Sequence, residues 1–159
     1  MEDKNEKKKV REKILAQRRS LPITQRTEFS KVISCDLLEL PELKDADNIL
    51  SYKILPGEVD LTQLNSIMEQ QGKKVLIPAP TPEETLKEKF AVAIVPGVAF
   101  DLQGYRLGRG GGYYDKLLSK ANCTAVGVCF DFQLLPSLPH EPHDVRMNCI
   151  VTEKRVLQF

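Results

Sequence analysis

The sequence predicts an α/β fold, a three-layer α/β/α arrangement around a central, mainly parallel sheet. Two observations predict it. Short apolar runs at Asn48–Tyr52, Val75–Ala79, Phe90–Val95 and Ala125–Phe130 alternate with stretches of helical periodicity, and strands separated by helices argue for a parallel sheet covered on both faces. The composition supplies the second observation. With 42% hydrophobic and 28% charged residues in 159, the chain has the balance of a globular protein and the length of one domain, residues 1–159.

The elements follow in order. Lys4 to Arg19 reads as a helix, with Val10, Ile14 and Leu21 on one face and charges opposite, and Pro22 interrupts it. A second helix is expected from Thr24 as N-cap, carrying Phe29, Ile33, Leu37 and Leu40 at helical spacing, with Pro41 ending it. After the run Asn48–Tyr52, Asp60 reads as an N-cap with Gln63 completing a capping box. Leu64, Ile67 and Met68 give that helix its inner face, and Gly72 stands where a C-terminal glycine belongs. Val75–Ala79 is the next strand, and the stretch PAPTPEET is a turn-rich connection. Phe90–Val95 feeds a glycine-rich loop and a helix from Tyr113 to Ala121. Ala125–Phe130 and a short run, Cys149–Thr152, complete the strands. In such sheets ligands bind beyond the carboxyl ends of the strands, so the loops after Tyr52, Val95 and Phe130 are the places to look.

Charge and cysteine content exclude several function classes. A formal net charge of +1 gives no electrostatic footprint for nucleic acid, and the basic residues near the N-terminus are diluted by acidic ones. Cys35, Cys123, Cys129 and Cys149 are widely spaced, and His140 and His143 are the two histidines. That pattern matches neither a zinc site nor a disulfide framework. No 18-residue apolar run and no apolar signal segment occurs, so a cytoplasmic protein with no membrane partner is expected.

The stretch Val95 to Leu118, VPGVAFDLQGYRLGRGGGYYDKLL, is the most informative. Gly104, Gly108, Gly110, Gly111 and Gly112 share nine residues with Arg106 and Arg109. Glycines let backbone N–H groups converge on a close ligand, arginines suit bidentate phosphate contact, and the helix that follows points its positive end at the same spot. The spacing is neither a Walker loop nor a dinucleotide fingerprint. Two readings stand at this stage: a flexible loop, or an anion site suited to a nucleoside triphosphate. Tyr113 and Tyr114 offer core packing or a ring to stack on the ligand. Asp115 offers complementarity to the helix dipole or a carboxylate for Mg²⁺.

The assembled motifs are PGVAFDLQGYRLGRGGGYYD, GEVD at Gly57–Asp60, KKKVR at Lys7–Arg11 and PHEPHD at Pro139–Asp144. In that order they resemble the 5-formyltetrahydrofolate cyclo-ligase family. The resemblance implies ATP- and Mg²⁺-dependent closure of 5-formyltetrahydrofolate to 5,10-methenyltetrahydrofolate, with release of ADP and phosphate. It implies ATP contacts from Lys7, Lys8, Lys9, Val10 and Arg11, and from Arg106, Leu107, Gly108, Arg109, Gly110, Gly111, Gly112, Tyr113 and Tyr114. Lys53, Glu58, Arg109, Gly110, Gly111, Gly112 and Tyr113 would contact folate, with Arg109 and Tyr113 catalytic. Asp115 would hold the metal with Asn148, which stands where the family usually has an aspartate. The partners implied are small molecules bound by a monomer. A further departure is the connection TPEETLKEKF after Pro80, shorter than the family's folate-pocket segment. A nucleotide-binding homologue without cyclo-ligase activity, or an ATP-dependent enzyme for a smaller substrate, is the alternative.

Overall fold

Each apolar run becomes a strand, one or two residues shorter than the run, in the computed structural model, which describes residues 2–159. Three helices come first: α1 (Glu2–Ser20), α2 (Ile23–Glu39) and α3 (Pro41–Asp45). They lead into β1 (Asn48–Leu50), α4 (Thr62–Gln70), β2 (Lys74–Leu76), α5 (Pro82–Thr85) and β3 (Val92–Val95). The chain continues through β4 (Ala99–Asp101), β5 (Arg106–Leu107), α6 (Tyr113–Lys120) and β6 (Thr124–Val128). A 3-10 turn (Asp131–Gln133), β7 (Leu134–Leu135), β8 (Cys149–Val151) and β9 (Val156–Gln158) complete it.

Among the described residues, six strands form one sheet in the order β2-β1-β3-β6-β8-β9. Every neighbouring pair is parallel except β8–β9 at the edge. Alternation along the strands divides the core between two faces. Ile49, Val92, Ile94, Val126, Val128 and Val151 pack with Ile33 and Leu37 of α2 and Leu64 and Met68 of α4. Leu50, Ala93, Val95, Ala125 and Ile150 pack with Leu117 and Leu118 of α6. Helices thus cover both faces, as the sequence predicts.

A second sheet, β5-β4-β7, grows from the loop that leaves β3. Ile14 of α1 is buried against it with Val98, Ala99, Leu107 and Leu138. The join between the two sheets depends on Gly127 in the middle of β6. A Cβ there would lie 2.5 Å from the Phe100 ring, so the absent side chain is the space that Phe100 fills.

Several boundary expectations change. Pro22, not Thr24, occupies the N-cap of α2, and no side-chain hydrogen bond caps that end among the described residues. Pro41 opens α3 as its first residue, a position where a missing N–H does no harm. Leu61 is the N-cap of α4. Asp60 precedes it by one residue, and its Oδ1 accepts from the Thr62 N–H at 3.0 Å and the Thr62 hydroxyl at 2.7 Å, so the Gln63 capping box does not form. Within PAPTPEET, Thr81 caps α5 by accepting from the Glu84 N–H at 3.2 Å.

Candidate active site

The carboxyl ends of β1, β3 and β6 converge, and the loops leaving them carry the unusual residues. Gln133, after β6, fastens two of these loops together. Its Oε1 accepts from the Phe130 N–H at 3.0 Å, and its Nε2 donates to the Val98 carbonyl at 2.9 Å. The chain leaving β3 therefore has a fixed base, from which the β4–β5 hairpin returns Arg106 toward the glycines.

Arg106 builds the wall of the site. Its Nε donates to the Pro96 carbonyl at 2.5 Å, and its guanidinium lies 4.9 Å from the centre of the Tyr114 ring, a cation–π contact. Gly108 leaves room for it: a Cβ there would stand 2.8 Å from a guanidinium nitrogen. From α1, the Arg11 Nε donates to the Gly108 carbonyl at 2.7 Å. Gly112 closes the loop as N-cap of α6 with φ of +73°, a left-handed conformation that glycine adopts without strain. The positive end of α6 then faces the space enclosed.

That space is a cleft of about 400 Å³. Lys7, Arg11, Arg106 and Arg109 reach it from one set of elements, and Glu58 from the loop after β1. Glu58 is buried, and its Oε1 accepts from the Leu55 N–H at 2.6 Å. Burial pushes its carboxyl above the ordinary range, while the Leu55 bond and the charges of Arg18, Arg109 and Arg106 hold it back. Asp115 is also raised, first by burial; Arg106 and Lys7 oppose the shift and Asp144 adds to it.

The sequence expectations divide on this geometry. Lys7, Arg11, Glu58 and the run Arg106–Asp115 line the cleft. Lys8 and Lys9 are exposed outside the lining, and Val10 packs into the apolar cluster around Ile14. The reason is helical: each residue turns about 100° from the last, so Lys7, Arg11, Ile14 and Arg18 share a face. Lys53 is likewise exposed and outside the lining. Tyr113 lines the cleft, but its hydroxyl donates to the Ala79 carbonyl at 2.6 Å and meets the Thr85 hydroxyl at 2.7 Å. The phenol is thus spent on the connection after Pro80.

Asn148 stands apart from the cleft lining. It precedes β8, at the amino ends of the strands, and its Oδ1 accepts from the Ala125 N–H at 2.8 Å. It lies at the opposite edge of the sheet from the cleft. Asp144 of the PHEPHD motif lines the cleft instead. Asp115 and Asp144 could together hold a hard divalent cation, since two carboxylates close enough to repel one another are what Mg²⁺ needs beside phosphate oxygens and water. Sequence reading also missed Arg18, although its spacing of seven from Arg11 puts it on the same helix face.

The model of the 5-formyltetrahydrofolate cyclo-ligase family matches residues 3–92 and 80–153. The chain belongs to that family. The NMR structure of Aquifex aeolicus 5,10-methenyltetrahydrofolate synthetase is 32% identical, superposes with a TM-score of 0.81, and matches over 96% of this chain and 92% of that one. A 5-formyltetrahydrofolate cyclo-ligase of Mycolicibacterium smegmatis is 46% identical over 76 residues, which are 46% of this chain and 39% of that protein. The Escherichia coli K12 cyclo-ligase is 26% identical over 181 aligned positions, taking in all of that protein and 92% of this chain. Those 181 positions exceed the 159 residues here, so the E. coli cyclo-ligase carries segments that this chain lacks. The two pieces of the family match overlap at residues 80–92, the connection that reads as short in the sequence.

Proposed function

We propose that this chain is an ATP- and Mg²⁺-dependent 5-formyltetrahydrofolate cyclo-ligase that releases ADP and phosphate. One observation carries the reading within the family: a single cleft joins a cationic glycine loop to a buried carboxylate, Glu58. A bare nucleotide site has no use for that carboxylate, whereas a pterin offers N–H groups for it to accept.

The chemistry follows from the groups available. Lys7, Arg11, Arg106 and Arg109 and the N–H groups of Gly108 to Gly112 hold the triphosphate. The γ-phosphoryl group passes to the formyl oxygen as its bond to the β-phosphate oxygen breaks, releasing ADP. Folate N10 then attacks the formyl carbon, loses its proton, and phosphate departs with the former formyl oxygen. Phosphoryl transfer asks mainly for positioning and charge stabilisation, so no covalent nucleophile is needed. Arg109, exposed and at the tip of the loop, is the cation free to follow the moving phosphoryl group. Glu58 accepts from the pterin and fixes the formyl group's approach. Asp115 and Asp144 would hold Mg²⁺, which when bound spreads and neutralises charge on the phosphate oxygens. We place the chain in the cytoplasm as a monomer acting on small molecules.

The test is to incubate the purified protein with 5-formyltetrahydrofolate and MgATP and follow the near-ultraviolet absorbance of the methenyl product. ATP-dependent growth of that absorbance is expected. A protein that binds ATP by calorimetry yet forms no methenyl product is instead the nucleotide-binding homologue.

A further inference from the structure

Arg18 is an anomaly in the last turn of α1. It is only 6% exposed, and among the described residues no acceptor lies within hydrogen-bond distance of its guanidinium. Nor does it form a salt bridge there. Its guanidinium nitrogens are not sealed off but open to the cleft, where a ligand acceptor can complete them. Its surroundings say where that ligand would be. Arg18 lines the main cleft together with Glu58, Pro96 and Gly97. Gly57 makes room for it: a Cβ there would stand 3.3 Å from the Arg18 Nε. The Pro-Gly-Glu turn thus presents Glu58 beside the arginine.

The two side chains offer opposite hydrogen-bonding character. Glu58 keeps one carboxylate oxygen, Oε2, clear of the Leu55 bond, and Arg18 offers N–H donors only. They are neighbours without being paired, so each is available to adjacent atoms of one ligand. A fused ring with a lactam edge presents that pattern: an N–H donor next to a carbonyl acceptor.

We propose that Arg18 is a specificity-determining residue that donates to the pterin 4-carbonyl while Glu58 accepts from the adjacent ring N–H and the exocyclic amine. This rests on the cyclo-ligase reading. Arg18 lines the cleft with Glu58, the group that accepts from the pterin, so the ring and not the glutamate tail lies against it. Arg18 therefore reads the ring and not the tail carboxylates.

The test compares 5-formyltetrahydrofolate with its 2,4-diamino analogue, which carries an amine in place of the 4-carbonyl. The wild-type enzyme should prefer the 4-oxo substrate by at least about 10-fold in kcat/KM, because a donor left facing an amine is unsatisfied. Arg18→Gln should lower kcat/KM for the 4-oxo substrate by about 30- to 100-fold, mainly through KM, and bring the preference below about 3-fold. Arg18→Lys should recover part of both, and KM for ATP should stay within about 2-fold throughout. The penalty should persist with 5-formyltetrahydropteroate, which lacks the glutamate tail. An unchanged preference in Arg18→Gln, even with a lowered Tm, would reduce Arg18 to packing and overturn the proposal. So would a penalty that vanishes with the pteroate. A wild-type protein that turns over neither compound while binding MgATP overturns the cyclo-ligase reading itself, and this inference with it.

Discussion

Arg106 and Arg109 stand three residues apart, yet their surroundings differ. Arg106 is held by the Pro96 carbonyl and the Tyr114 ring, and Arg109 is exposed at the loop tip. Truncating Arg109 therefore removes charge and little packing. Arg109→Ala should lower kcat by about 10²- to 10³-fold, the scale of losing one transition-state donor, with Tm nearly unchanged by calorimetric scan. A matched loss of stability and activity would make it structural. Glu58 carries a pH prediction with a definite sign. Its carboxyl titrates at 4.5 when unfolded and higher when folded. The folded state thus binds more protons between the two values, and this group's contribution to stability is full below 4.5 and is lost as pH rises through the folded value. Glu58→Gln should consequently raise Tm at neutral pH while raising KM for folate, and it should erase the climb of that KM on the acid side. Such residues are legible in sequence because glycine, arginine and a turn-borne glutamate are informative types. Arg18 was not, because one more arginine in a basic helix looks solvated until the turn after β1 is seen folded over it.

At the level of elements, legibility followed length. The main-sheet strands announced themselves as apolar runs between turn signals. β4, β5 and β7, of two or three residues each, are too short to carry a period of two, and glycines flank the first two. Gly127 was a missed signal: a glycine within an apolar strand marks close approach, here of Phe100. The connection after Pro80 presents a different case. Its shortness read as a missing wall, whereas α5 grips α6 through Thr85, the Ala79 carbonyl and the Tyr113 hydroxyl. Tyr113→Phe should lose about 1–3 kcal/mol in denaturant melts, the scale of leaving buried partners unsatisfied, and keep kcat within about 3-fold. A kcat loss of 10²-fold or more at unchanged stability would restore Tyr113 to the chemistry.

For the molecule as a whole, the sheet has a working edge and a plain one. The carboxyl ends of β1, β3 and β6 gather Glu58, the glycine loop and Gln133, and the amino ends hold Asn148. Sequence position alone could not assign Asn148 or Asp144 to an edge, because only four residues separate one that lines the cleft from one bonded at the start of β6. Asp115→Asn and Asp144→Asn should each shift the Mg²⁺ titration of activity to higher concentration, by about 10-fold or more for a lost carboxylate ligand. Asn148→Asp should leave that titration unmoved; a leftward shift would return residue 148 to the metal.

The bond from Arg11 to the Gly108 carbonyl has a calorimetric consequence. A glycine loop left to wander would have to be ordered when nucleotide arrives, and that ordering would appear as unfavourable binding entropy. Here folding has already tied the loop to α1, across the long chain separation between them. Nucleotide association should thus resemble the filling of a cast mould, with its heat arising from phosphate contacts and little of it offset by stiffening of the chain.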